Sequence, residues 1–220
     1  MSPLTDPAYP VYHARHDDST TDRLRYARSL IRDVLVTADT SHGHEGLAWS
    51  SVMIASADPL APVRLAAGWP VSDADQRQAQ ATYEQLLLAY HLDVMEKAWP
   101  AHDLGVALAV FLIGNYQMAT DHSLNDDLQQ ALVKQLRQRI GRHATLAALP
   151  VLTRQELFEE LAISGTLMLA ILLQNSNGIR TDAISWAKPT AQDNLQTLLR
   201  IPHTSLYFDE EGVHINTGLA

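Results

Sequence analysis

Two nearly uninterrupted apolar runs constrain this chain more than any other feature: LGVALAVFLIG at 104–114 and LAISGTLMLAILL at 161–173. Neither reaches the ~20 apolar residues that a membrane-spanning helix needs. Both are too long for ordinary strands and are apolar on every side when wound as helices. A helix without a polar face is stable only when other elements surround it. The runs therefore predict two central helices, and the rest of the chain must supply the layer around them.

The chain is long enough to supply it. A chain of 220 residues buries about two-thirds or more of its unfolded surface as one domain. Its 46 % hydrophobic content is ordinary for a folded protein and too high for disorder. There is no cysteine, which rules out disulfides, thiol chemistry and thiolate metal sites. A net charge of −9 argues against nucleic acid as a partner and suits a basic one.

Read along its length, the chain predicts an irregular arm over 1–20, broken by Pro3, Pro7 and Pro10, followed by one helical domain over 21–220. A helix opens at Thr21-Asp22 and runs to about Thr37, with Leu24, Ala27, Ile31, Val34 and Leu35 as its apolar stripe. Arg25, Arg28 and Arg32 share another face of it, expected to be solvated. SHGHEG at 41–46 reads as a loop, Leu47–Ala57 as a short helix, and the three-proline stretch 58–70 as a connector.

Ser72-x-x-Asp75 starts a helix with Tyr83, Leu86, Leu87, Tyr90, Val94 and Ala98 along one side, closed by Pro100. Asp103 opens the next, which runs to about Ala119. Ser123 and Asp126 precede a helix with Leu128, Leu132, Leu136 and Ile140 at four-residue steps, ended by Gly141. Thr153-x-x-Glu156 has the form of a capping box, with Leu152 and Leu157 placed as a hydrophobic staple, for a helix running to about Asn175. A last helix covers Ala183 to Arg200, with a restart expected at Pro189, and SLYFDEEGVHI predicts a small β-hairpin. The expected fold is all-α: a single globular helical bundle of six to seven helices with a C-terminal hairpin.

On the first central helix, Leu104, Leu108, Phe111, Asn115 and Met118 recur at alternating steps of four and three, so Asn115 falls on the buried stripe. Ala107, Val110 and Gly114 form a small-residue stripe beside it. The second central helix sets Ser164 and Gly165 on corresponding stripes. Gly114 and Gly165 would let two backbones approach closely. A buried Asn must be hydrogen-bonded, and Ser164, Thr166 or a backbone carbonyl are its expected partners. Gly114, Asn115, Tyr116, Ser164 and Gly165 thus read as a structural signature of the core. Just past the helix end, Asp121 and His122 can reach solvent and are a candidate metal or ligand site.

Catalytic patterns are sparse. The sequence has no HExxH, GxSxG, Ser-x-x-Lys, GxGxxG or GxxxxGK[ST]. The adjacent acids Glu159-Glu160 and Asp126-Asp127 diverge on a helix and are poorly placed to share a substrate. Ten histidines raise the question of a metal. The local clusters are His13, His16 and Asp17, and His42, His44 and Glu45. Histidine with carboxylate suits zinc, iron or manganese, but neither spacing is diagnostic.

Three segments carry a resemblance. They are the LLxxYH-like end of the third helix (Leu87, Leu88, Tyr90, His91) and DLxxAxAxFxxGNY at Asp103–Tyr116. The third is ELAISGTLMLA at 160–170. In order and spacing the region from about Trp69 to Ile215 resembles an uncharacterised family of bacterial, mainly proteobacterial, domains of unknown function; the first 68 residues lie outside it. The resemblance implies a helical fold, brings no catalytic residue, and points to export behind a leader. The N-terminus MSPLTDPAYPVYHARHDD has no apolar h-region, so the sequence itself leads to an expectation of a cytoplasmic chain.

The first functional expectation is a non-catalytic protein that binds another protein, as an immunity, adaptor or regulatory protein does, with no cofactor. The alternatives are a metal-dependent enzyme or metal binder using the loop histidines, and a membrane-associated hairpin of the two apolar helices.

Overall fold

The computed structural model describes residues 18–36, 58–68, 71–177, 182–200 and 202–216. Among them are eight α-helices: α1 (Asp18–Val36), α2 (Ala61–Ala67), α3 (Asp73–Glu96), α4 (Leu104–Thr120), α5 (Asp126–Gly141), α6 (Ala144–Ala147), α7 (Val151–Ser176) and α8 (Asp182–Leu199). A 3-10 turn at His203–Ser205 leads into an antiparallel hairpin, β1 (Leu206–Asp209) and β2 (Gly212–Ile215). The all-α expectation and the terminal hairpin hold.

The two apolar runs become α4 and α7, and these pack on each other more extensively than any other pair of elements. Every residue of α4 from Leu104 to Asn115 is buried, and so is every residue of α7 from Leu157 to Met168. Around them, α5 and α8 lie on α4, while α1, α2, α3 and α8 lie on α7. The hairpin closes one side against α5 and α1, and the Tyr116 ring packs at 4.6 Å on Phe208 of β1.

Local chemistry sets the helix ends. Ser72 caps α3 by accepting from the Asp75 amide, and Asp103 caps α4 by accepting from the Gly105 and Val106 amides. Asn125 rather than Ser123 caps α5, accepting from the Leu128 amide. Asp121 ends α4 in the left-handed conformation at φ 60.

Several boundaries differ from the sequence reading. The helix expected from Thr21 starts at Asp18, and one more helix is present than the upper count. The three-proline connector contains α2, because Pro62 sits in the first helical turn, where its missing N–H costs nothing. Thr153 and Glu156 form no capping box: α7 starts three residues earlier, with Pro150 in the cap position, and Thr153 is buried within it. The staple is absent too, since Leu152 is 62 % exposed. Pro189 lies inside α8, which does not restart there. Ala98 leaves the buried side of α3 for a turn at φ 54. The helix read at Leu47–Ala57 and the loop at 41–46 lie outside the described residues.

Candidate functional site

Four clusters of polar or apolar side chains stand out, and their surroundings separate structural roles from available ones.

The first lies in the centre. A Cβ added at Gly114 would stand inside 3.0 Å of the Gly165 carbonyl oxygen, and one added at Gly165 inside 3.0 Å of the Val110 carbonyl and Phe111 amide. The two helices therefore cross in backbone contact, which only glycine permits here. Next to Gly114, Asn115 is fully buried; its Nδ2 donates to the Phe111 carbonyl at 2.8 Å. Its Oδ1 accepts from Asn194 Nδ2 of α8 at 2.9 Å, and the same Nδ2 lies 3.2 Å from Ser164 Oγ. Asn194 thus links α4, α7 and α8. It was missed in the sequence, although Ala187, Ala191, Asn194, Leu195 and Leu198 lie on one buried stripe of α8. All three side chains are buried and bonded within the core.

The second cluster is a buried clamp on α7. Glu160 is fully buried and pairs with Arg28 of α1 and, at 3.0 Å, with Arg64 of α2. Arg64 also meets Glu156 at 3.2 Å. Burial raises the Glu156 carboxyl above the ordinary range, with Arg64 opposing. Glu159 turns the other way. Its Oε2 accepts from the Leu60 and Ala61 amides at 2.7 Å each, capping α2 from outside, while Gln155 donates to its other oxygen at 2.8 Å. The adjacent acids take different partners. The arginine face of α1 is only partly solvated: Arg25 pairs with Asp22 in the open, but Arg28 is drawn onto α7.

The third cluster joins α3 to the start of α4. His91 and His102 lie 5.0 Å apart between ring centroids, with Phe158 beside both. His91 Nδ1 is 2.8 Å from the Leu87 carbonyl, so this nitrogen carries the proton and donates. Among the described residues its buried Nε2 has no hydrogen-bond partner, and neither has the buried Tyr90 hydroxyl. Burial, with Asp103 and Asp93 nearby, pushes the Tyr90 phenol well above its ordinary range; burial and then His91 lower His102. Asp103 is raised by burial, against the pull of Arg137 at 2.7 Å. Among the described residues no group of three or more His, Cys, Asp or Glu is arranged to hold a metal ion. His13, His16, Asp17, His42, His44 and Glu45 lie outside the described residues. Asp121 pairs with Lys188, and His122 Nδ1 bonds the Thr120 carbonyl at 2.9 Å, so both finish the end of α4. A cleft of about 210 Å³ between Trp99 and α5 is small for a substrate site, and Lys97 fills part of its wall, 4.8 Å over the Trp99 ring.

The fourth is apolar. Leu88, Leu92 and Met95 lie on one face of α3 at i, i+4 and i+7 and are 60 %, 59 % and 68 % exposed. The opposite face carries the buried Tyr83, Leu86, Leu87, Tyr90 and Val94. The C-terminal half of α3 therefore sets apolar residues on both faces, and among the described residues its main packing is against α2 and α7.

A family model matches residues 11–216, and its description is a family of unknown function, DUF6683. The chain belongs to that family. The match reaches back to residue 11, so the family region includes most of the 68 residues that the motifs alone left outside. No curated protein and no solved structure matches the chain. No helix among the described residues is long and apolar enough to cross a membrane.

Proposed function

We propose that this chain is a non-catalytic helical protein, bacterial and cytoplasmic, that works by binding another protein in an immunity, adaptor or regulatory role. The observation that carries the reading is the outer face of α3. Leu88, Leu92 and Met95 form a contiguous apolar stripe where a peripheral helix ordinarily shows polar residues. The buried acids and Asn194 support the same reading, because other groups of the chain engage them. Glu160 holds arginines, Glu159 holds α2, Asp103 holds α4 and Arg137, and Asn194 holds Asn115 and Ser164.

The test is site-specific photocrosslinking in cells of the source organism. A photoreactive residue at Leu92 is expected to yield a discrete adduct with a second protein. The same residue at the exposed Glu211 of the hairpin turn serves as the control. If Leu92 gives no adduct, or only those seen from Glu211, the reading falls.

A further inference from the structure

The outer face of α3 carries a charge pattern as well as an apolar one. Glu84 and Glu96 are both exposed, one lying four residues before Leu88 and the other four residues after Leu92. At 1.5 Å per residue they stand roughly 18 Å apart along the axis and bracket the apolar trio. Among the described residues neither glutamate has an ion-pair partner. Lys97 is held by Asp93 at 3.3 Å, by Gln129 at 3.1 Å and over the Trp99 ring. Arg77 lies seven residues before Glu84, outside the bracket.

A second copy of the chain fits this face poorly. An antiparallel pair of α3 helices that sets Leu88 against Leu92 also sets Glu84 against Glu96, at both ends. A parallel pair sets each glutamate beside its own copy. The antiparallel register that would bring Arg77 to Glu96 sets Leu88 against Gln85 and loses the apolar match. Like charges across an interface oppose association, and each chain already carries −9. The trio also falls well short of the ~800 Å² per partner of a standard domain interface, whereas a single helix needs only a few anchors.

We infer that the outer face of α3 docks a basic amphipathic helix of a partner protein. Its apolar residues recur at i, i+4 and i+7, and its Lys or Arg residues stand opposite Glu84 and Glu96. This rests on the docking reading above and adds the partner's chemistry. The apolar trio supplies the contact area, and the glutamates set register and reject acidic helices.

The experiment uses the full chain and two fluorescent synthetic helical peptides with the same leucine spacing, one flanked by lysines and the other by glutamates. Anisotropy titration is expected to show the lysine peptide binding about 10-fold or more tighter than the glutamate peptide. Leu92→Lys is expected to remove binding, and Glu84→Lys with Glu96→Lys to reverse the preference; Leu92→Ser replaces Leu92→Lys if circular dichroism shows that variant misfolded. The inference is overturned if the lysine peptide does not bind, if the two bind equally, or if the charge reversal leaves the order unchanged. It is also overturned if sedimentation shows a dimer that Leu92→Lys dissolves. An acidic or non-helical segment crosslinked at Leu92 would overturn the basic-helix inference alone, whereas the absence of any specific adduct removes the docking reading with it.

Discussion

The α4–α7 crossing and the C-terminal half of α3 are built from similar residues and reach opposite ends. Each sets apolar residues on opposite faces of its helix, although α3 also carries Gln85, His91, Asp93 and Glu96 between them. At the crossing, Gly114 and Gly165 bring two backbones into contact, and α5, α8, α1 and α3 cover the remaining faces. On α3 the inner face is buried by α2 and α7, and Leu88, Leu92 and Met95 stay in solvent. An apolar helix is completed by whatever surrounds it, and among the described residues only one of the two regions is completed. The same substitution chemistry should therefore have large effects on stability in one region and almost none in the other.

The largest effect is expected at the clamp that ties the outer layer to α7. Glu160→Ala leaves Arg28 and Arg64 without their shared carboxylate. Removing one partner of a buried pair costs about 3–5 kcal/mol, and a chemical denaturation curve should show it. Hydrogen exchange should show α1 and α2 opening first. If the loss stays under ~1 kcal/mol, the clamp is dispensable for holding the outer layer.

Next comes Gly165→Ala. The new methyl meets the Val110 carbonyl and the Phe111 amide, which are backbone groups that yield only if the helices separate. Overpacking of this kind costs about 1–3 kcal/mol. For a chain of this size that lowers the melting temperature by roughly 2–4 °C per kcal/mol. An unchanged melting temperature would mean that the crossing is looser than its geometry.

Asn194→Leu should cost ~1–3 kcal/mol by leaving Asn115 Oδ1 unsatisfied. The double change Asn115→Leu with Asn194→Leu should recover part of that loss, since it leaves fewer buried polar groups unpaired. If Asn115→Leu keeps stability while a binding activity disappears, Asn115 is a ligand contact and the core is not sealed there.

A smaller effect concerns His102, whose folded-state pKa is lowered by burial and by His91. The unfolded chain then binds the proton more readily. The stability His102 contributes is present above its unfolded value and is lost as pH falls through the lower folded one. Between pH 7 and 5 the wild type should lose melting temperature faster than His102→Gln; parallel slopes would remove His102 as the cause.

Much of the fold was legible because it rests on period and length. The two apolar runs fixed the central pair, and Ser72 and Asp103 marked helix starts through local bonds. What was missed depended on tertiary partners. Pro62 looked like a breaker until Glu159, far along the chain, capped the helix it begins. Thr153 and Glu156 had the right spacing for a capping box, but Glu156 meets Arg64 and the helix starts earlier. Arg28 looked solvated because nothing near it in sequence announces Glu160. On α3 the period picked the inner side correctly at Tyr83, Leu86, Leu87, Tyr90 and Val94; that Leu88, Leu92 and Met95 opposite them stay exposed depended on the packing.

The central claim is that α3 presents Leu88 and Leu92 to a partner and not to this chain's own core. Thermal melting of the Leu88→Lys, Leu92→Lys double variant, read beside photocrosslinking from Met95, tests it most directly. The account predicts a melting temperature within about 2 °C of wild type, as for surface changes worth less than ~0.5 kcal/mol, together with loss of the adduct. A melting temperature lowered as far as that of Gly165→Ala, or an adduct that survives, would contradict it.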